Sequence, residues 1–343
     1  MPESAYQYVL ELYKDDGVWL GQASIEADWV PAIEWTRLAA IRRGELPLEG
    51  FTAAACVEPL WDREIGEPRI TGFQVKIPRD GRRPIQAIFP TTYFRALAAE
   101  ASAYFVEQGR LAEGEIFRYA VAAYPRSARA SDSDPQTTEL LPKLQVHPGA
   151  LKECLRRAVP VGIVDAQDLP VFFPPRVLEE AEQLTCAHSG IETGGVLIGR
   201  LRRDPDVPEL FLEVTAQIPL RVAGEMTRLS FTPERWSEVE AAIALRGGEE
   251  TYLGYWHSHP VQAWCRDKQR DCCPQNLPAC RLARDYFSRE DRAVLRVAFP
   301  RAYSLGLVVN DAPLNQLTFS LFGWRRGLIE PRGYYLFRGE NHA

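Results

Sequence analysis

No stretch of the 343-residue sequence is apolar for long enough to span a bilayer, which takes about 20 residues. Positive charge is scarce as well. The 40 lysines and arginines stand against 46 acidic residues for a formal net charge of -6, so no broad basic surface for nucleic acid is expected. The opening Met-Pro-Glu-Ser-Ala-Tyr-Gln-Tyr lacks the basic start and apolar core of a secretory signal. A cytoplasmic location is therefore expected, with no membrane partner, and the seven cysteines are read as thiols or metal ligands rather than as a disulfide framework. What remains is the composition of a globular protein, 46% apolar and 25% charged, with length enough for two domains.

Hydrophobic periodicity divides the chain. Over residues 1–124, strands are expected at Tyr6–Leu12, Gly72–Ile77 and Glu115–Tyr124, and helices at Ala32–Arg43 and Thr91–Glu107. These make a separate N-terminal α+β domain, to which no chemistry is assigned. Residues 125–170 read as linker and tether: PRSARASDSDPQTTELLP has too few large apolar groups to pack, and a short helix follows at Leu151–Ala158. From 171 to 330 a second α+β domain is expected, a mixed β-sheet flanked by helices. Its strands are Gly194–Gly199, Leu210–Ile218, Thr251–Trp256, Tyr303–Val309 and Leu317–Gly323, and its helices Pro175–Ala187, Pro233–Leu245 and Ser288–Ala298. Residues 331–343 are left as a C-terminal tail.

Within the second domain, His257 and His259 stand two apart at the end of a strand-like run. Residues i and i+2 of a strand share a face, so both rings can meet one metal if the strand continues through them. A catalytic zinc takes three protein ligands of nitrogen, sulfur or carboxylate type and leaves a position open. The pair alone carries little, but its surroundings carry more. Upstream lies IETGGVLIGR, opening on Glu192; downstream lies SREDRAVLRVAFPRAYSLGLVV, in which Ser288 and Asp291 open a helix that returns to a strand. The order Glu, His-Ser-His-Pro, Ser-x-x-Asp resembles the JAMM or MPN-plus zinc metalloproteases, over roughly Val171–Gly327. That resemblance implies a cytidine-deaminase-like fold for 171–330, with His257, His259 and Asp291 as zinc ligands, Glu192 as general base and Ser288 holding the oxyanion. Local structure offers another account of three of these residues: Glu192 as a solvated strand-end carboxylate, Ser288 as a helix N-cap and Asp291 as its N3 acid.

In the family pattern the aspartate follows the second histidine much sooner than here, where Pro260–Glu290 intervene, so an insertion at 261–287 is expected on the rim of the site. Asp271 lies nearer the usual offset, but Lys268 occupies the place of the serine and no apolar helix-to-strand pattern follows. The insertion carries Cys265, Cys272, Cys273 and Cys280, spaced C-x6-C-C-x6-C. Four thiolates could hold a second, structural zinc that orders a loop with no core of its own, and free or redox-active thiols are the alternative. Cys56, Cys154 and Cys186 are isolated and are read as buried small hydrophobes.

The resemblance implies a zinc-dependent isopeptidase or peptidase that cuts after the C-terminus of a ubiquitin-like protein, by deconjugation or precursor processing. Its partners would be that protein or its conjugates, with activating or conjugating enzymes of the same pathway. Two other readings stand beside it: a non-catalytic MPN-type scaffold, and a RadC-like nucleic-acid-associated protein. The intact Glu, His, His and Asp argue against the first and the acidic balance against the second.

Overall fold

The computed structural model describes residues 5–48, 55–79, 81–126, 144–188, 190–220, 233–261, 263, 286–312 and 316–339. The fold is mixed α/β and divides into two compact units, residues 1–144 with 326–328, and residues 145–325 with 329–343. Among the described residues no helix is long and apolar enough to cross a membrane.

The first unit grows from alternation. In β1 (Tyr6–Lys14), Tyr8, Leu10 and Leu12 are buried and their neighbours are not, the period of a strand with one face in the core. With β2 (Trp19–Ile25), β3 (Cys56–Trp61), β4 (Arg69–Arg79), β5 (Arg82–Pro90) and β6 (Phe117–Pro125) it forms a six-stranded sheet in the order β2-β1-β6-β4-β3, β5 pairing β4. The pairings are antiparallel. Helix α1 (Val30–Arg42) carries Pro31 in its first turn, where no backbone N–H is needed. Helix α2 (Arg95–Glu107) follows a short 3-10 turn. Trp29, Phe73, Phe89, Tyr93 and Phe94 fill the core, Phe73 and Phe89 stacked at 5.0 Å.

The second unit is a ten-stranded sheet. Its strands are β7 (Val146–Pro148), β8 (Ala158–Val161), β9 (Val171–Phe173), β10 (Gly194–Arg203), β11 (Leu210–Pro219), β12 (Thr251–His259), β13 (Leu305–Ala312), β14 (Gln316–Arg325), β15 (Leu328–Arg332) and β16 (Tyr334–Phe337). They run β15-β14-β13-β12-β10-β11-β9-β16-β8, with β7 on β10. Among the described residues the helices are α3 (Leu151–Arg157), α4 (Pro175–Ala187), α5 (Pro233–Leu245) and α6 (Arg289–Ala298). Within the stretch read as linker and tether, the expected short helix is present as α3 and is flanked by two further strands, β7 and β8; the stretch left as a tail holds β16, which pairs with both β8 and β9. Strands this short show no alternation of their own, and their order comes from partners distant in sequence.

Strand β12 is buried on both faces from Leu253 onward, and its first part, Tyr252–Trp256, reads as an apolar run with one glycine rather than as an alternation. Tyr255 faces a core of Phe287, Leu295, Phe299, Val308 and Phe322, while Trp256 on the other face donates to Gln217 at 3.0 Å, and Gln217 donates in turn to Glu180 of α4. Gly254 permits this packing: its φ is +147°, and a Cβ there would stand 1.8 Å from the Leu305 carbonyl oxygen of β13. Gly254→Ala is expected to cost about 3 kcal/mol through clash and backbone strain together. In a domain of this size that lowers the melting temperature by roughly 6–12 °C, and a calorimetric shift below about 2 °C would contradict the close approach.

Candidate metal centre

Three elements bring the donors together. Gly194 of β10 pairs with His257 of β12, which sets Glu192, two residues before Gly194, beside the end of β12. That junction is fastened by residues pointing the other way. The Thr193 N–H donates to Ser258 Oγ at 2.8 Å, the two hydroxyls lie 2.9 Å apart, and the Ser258 N–H donates to the Thr193 carbonyl at 2.7 Å. The serine between the histidines thus holds Glu192 in place while its neighbours face the cluster. Strand β12 runs through His259, which puts both rings on one face.

Helix α6 supplies the carboxylate. Ser288 is its N-cap, with Oγ accepting the Asp291 N–H at 2.9 Å, and Asp291 Oδ2 accepts the Ser288 N–H at 2.7 Å, a reciprocal capping box. Buried Phe287, stacked on Phe322 at 4.6 Å, anchors the helix start, and the Tyr255 hydroxyl donates to the Asp291 carbonyl at 3.0 Å. The local account of Ser288 and Asp291 and the ligand geometry are compatible, because one carboxylate caps its helix and still faces the rings.

His257 Nε2 and His259 Nε2 lie 2.9 Å apart, Asp291 Oδ1 is 3.1 Å from His257 Nε2, and Asp291 Oδ2 is 3.6 Å from His259 Nε2. Ligand atoms at zinc distances in a tetrahedral shell stand ~3.3 Å apart, so these three fit one small divalent cation. Glu192 Oε1 is 4.0 Å from His257 Nε2, and the four ligand atoms all lie within 4.8 Å of one another. The histidines are buried, only 1% and 2% exposed, while Glu192 and Asp291 are partly exposed.

Burial sets the protonation states. It lowers the His259 pKa, against hydrogen bonding to Asp291 and to Asn310 and with the nearby His257 charge adding to the fall, which favours the neutral ring a metal requires. Burial raises Glu192, partly opposed by His257 and reinforced by Asp291, so this carboxyl binds a proton more readily than an ordinary glutamate. For Asp291 burial also pushes upward, but hydrogen bonds from the two histidines and the Ser288 backbone hold it below the usual carboxylate range.

No family model matches the chain. None of the curated proteins matches it either. Among solved structures, a protein of Desulfitobacterium hafniense studied in solution is similar at 21% identity over 50% of this chain and 97% of that one, with a TM-score of 0.32, a likeness too slight to bear on fold or function.

Glu192, His257, His259 and Asp291 are therefore together, with Ser288 at the edge of the cluster. Asp271, Cys265, Cys272, Cys273 and Cys280 lie outside the described residues. The reading of the isolated cysteines needs correction: Cys56 and Cys186 are exposed and Cys154 is half-buried. Cys56 opens strand β3 and points outward, and Cys186 follows the buried face of α4, which is Val177, Leu178, Ala181 and Thr185. Sequence reasoning missed Thr193, Ser258, Tyr255 and Asn310. Only the strict alternation of His-Ser-His signalled one of them, by placing Ser258 opposite the rings.

Proposed function

We propose that the second unit is a metal-dependent isopeptidase or peptidase of the JAMM type, acting after the C-terminus of a ubiquitin-like protein. The observation that carries this reading is the convergence of His257, His259 and Asp291 at metal-ligand spacing, with the carboxylate of Glu192 beside them. The ordered motif Glu, His-Ser-His-Pro, Ser-x-x-Asp supports the family and, through it, the substrate class.

The two rings and Asp291 would hold a divalent cation, which when bound would supply Lewis acidity to the scissile carbonyl and bring the pKa of a water towards about 7. Glu192 takes a proton from the attacking water as its oxygen bonds to the carbonyl carbon, then passes that proton to the amine nitrogen as the C–N bond breaks. Its raised affinity for protons suits both transfers. Ser288 Oγ accepts from the Asp291 backbone and so has its own O–H left to donate to the developing oxyanion. Tyr255, Thr193 and Ser258 touch no substrate in this scheme; they hold Asp291 and Glu192 at their separations.

The test is incubation of the full chain with lysine-linked and linear fusions of ubiquitin-like proteins, read by mass spectrometry. Cleavage after the C-terminal residue is expected, abolished by a chelator and restored by zinc. A fully metal-loaded protein that cuts none of the fusions would favour the scaffold reading instead.

A further inference from the structure

His259 and Asn310 are partners in the parallel ladder of β12 and β13. Paired residues of adjacent strands project from the same face, and here that face carries the metal cluster, so the Asn310 carboxamide stands beside the His259 ring. It is near enough to favour the protonated ring. Yet among the described residues neither Oδ1 nor Nδ2 meets full hydrogen-bond geometry, with His259 or any other group, and the residue is 1% exposed. A buried carboxamide in this condition costs ~1–3 kcal/mol, while the rest of this strand segment, Leu305 to Val309, is apolar or glycine. Apolar packing does not explain the residue.

We infer that Asn310 is a positioning residue for the metal centre, its Oδ1 accepting the Nδ1–H of His259 when Nε2 of that ring binds a divalent cation. An imidazole that ligates through Nε2 is neutral and carries its proton on Nδ1. That Nδ1 is buried, so water does not serve it, and the paired strand offers Asn310 as acceptor. A carboxamide fixes the tautomer and the ring plane without adding a third negative charge to those of Glu192 and Asp291. The inference rests on the metal reading of the cluster and is independent of what the enzyme cleaves.

Zinc affinity of the metal-depleted full chain, measured by competition with a chromophoric chelator, tests it beside the melting temperature of the same samples without metal. Asn310→Leu is expected to weaken zinc binding 10–100-fold, the usual effect of losing an outer partner of a ligand. Its metal-free melting temperature should be unchanged or higher, because an unpaired buried polar group has been removed. Asn310→Asp, which keeps the acceptor, should retain most of the affinity, and it decides the matter if the leucine variant does not fold. Wild-type affinity in Asn310→Leu would overturn the inference, as would a folded Asn310→Asp with tenfold weaker binding. Wild-type protein that takes up no zinc would overturn the inference and the metal reading together.

Discussion

Glu192→Gln protein is expected to hold metal at wild-type stoichiometry and to cleave nothing measurable. The three proposed ligands do not include Glu192: its Oε1 stands 4.0 Å from His257 Nε2, whereas the closest oxygen of Asp291 is 3.1 Å from the same atom. Glutamine fills the same space but cannot accept a proton as a carboxylate does, and a lost general base costs ~10²–10⁴ in rate. The same substitution has a sign in stability. Burial raises the Glu192 pKa, so its contribution to the metal-free fold is fully present at low pH and is lost as pH rises through the folded value. Metal-free Glu192→Gln should therefore match wild type in acid and melt at an equal or higher temperature at neutral pH. Turnover equal to wild type would remove Glu192 from the chemistry. Loss of metal from the variant would make it a ligand instead.

The parts of this arrangement that were legible in the sequence follow from local rules. Tyr8, Leu10 and Leu12 alternate, so β1 is readable, and Val177, Leu178 and Ala181 mark one face of α4. The pairing of His257 with His259 is readable because strand period alone puts them together. Contacts made across sequence distance were not readable. Val146–Pro148 and Val171–Phe173 are strands because β10 and β11 offer partners, and three residues cannot announce that on their own. Asn310 looks like an ordinary end to LGLVVNDA, and only the register of β12 against β13 sets it beside His259. The approach of Asp291 is an intermediate case: its capping signature gave the start of α6, but the stretch from Pro260 to Glu290 hides where that helix docks.

Replacing Asp291 by asparagine and by alanine separates two roles of one side chain. Its carboxylate faces both rings and, through Oδ2, accepts the N–H of the residue that caps its own helix. Asparagine keeps an oxygen for that N–H but loses the negative charge that balances a divalent cation; alanine loses both. Zinc affinity should fall in each by more than the 10–100-fold that an outer partner commands, leaving stoichiometry below one at micromolar protein. Without metal the two should differ, alanine lying below asparagine by the ~1 kcal/mol of a lost cap, or about 2–4 °C in melting temperature. Helix α6 has its N-terminus at the cluster, where the same peptide N–H groups that need a cap also favour a negative charge. If either variant kept zinc at wild-type stoichiometry, Asp291 would be a helix cap and no ligand. The two imidazoles would then need another third donor, and the hydrolase reading would lose the convergence on which it stands.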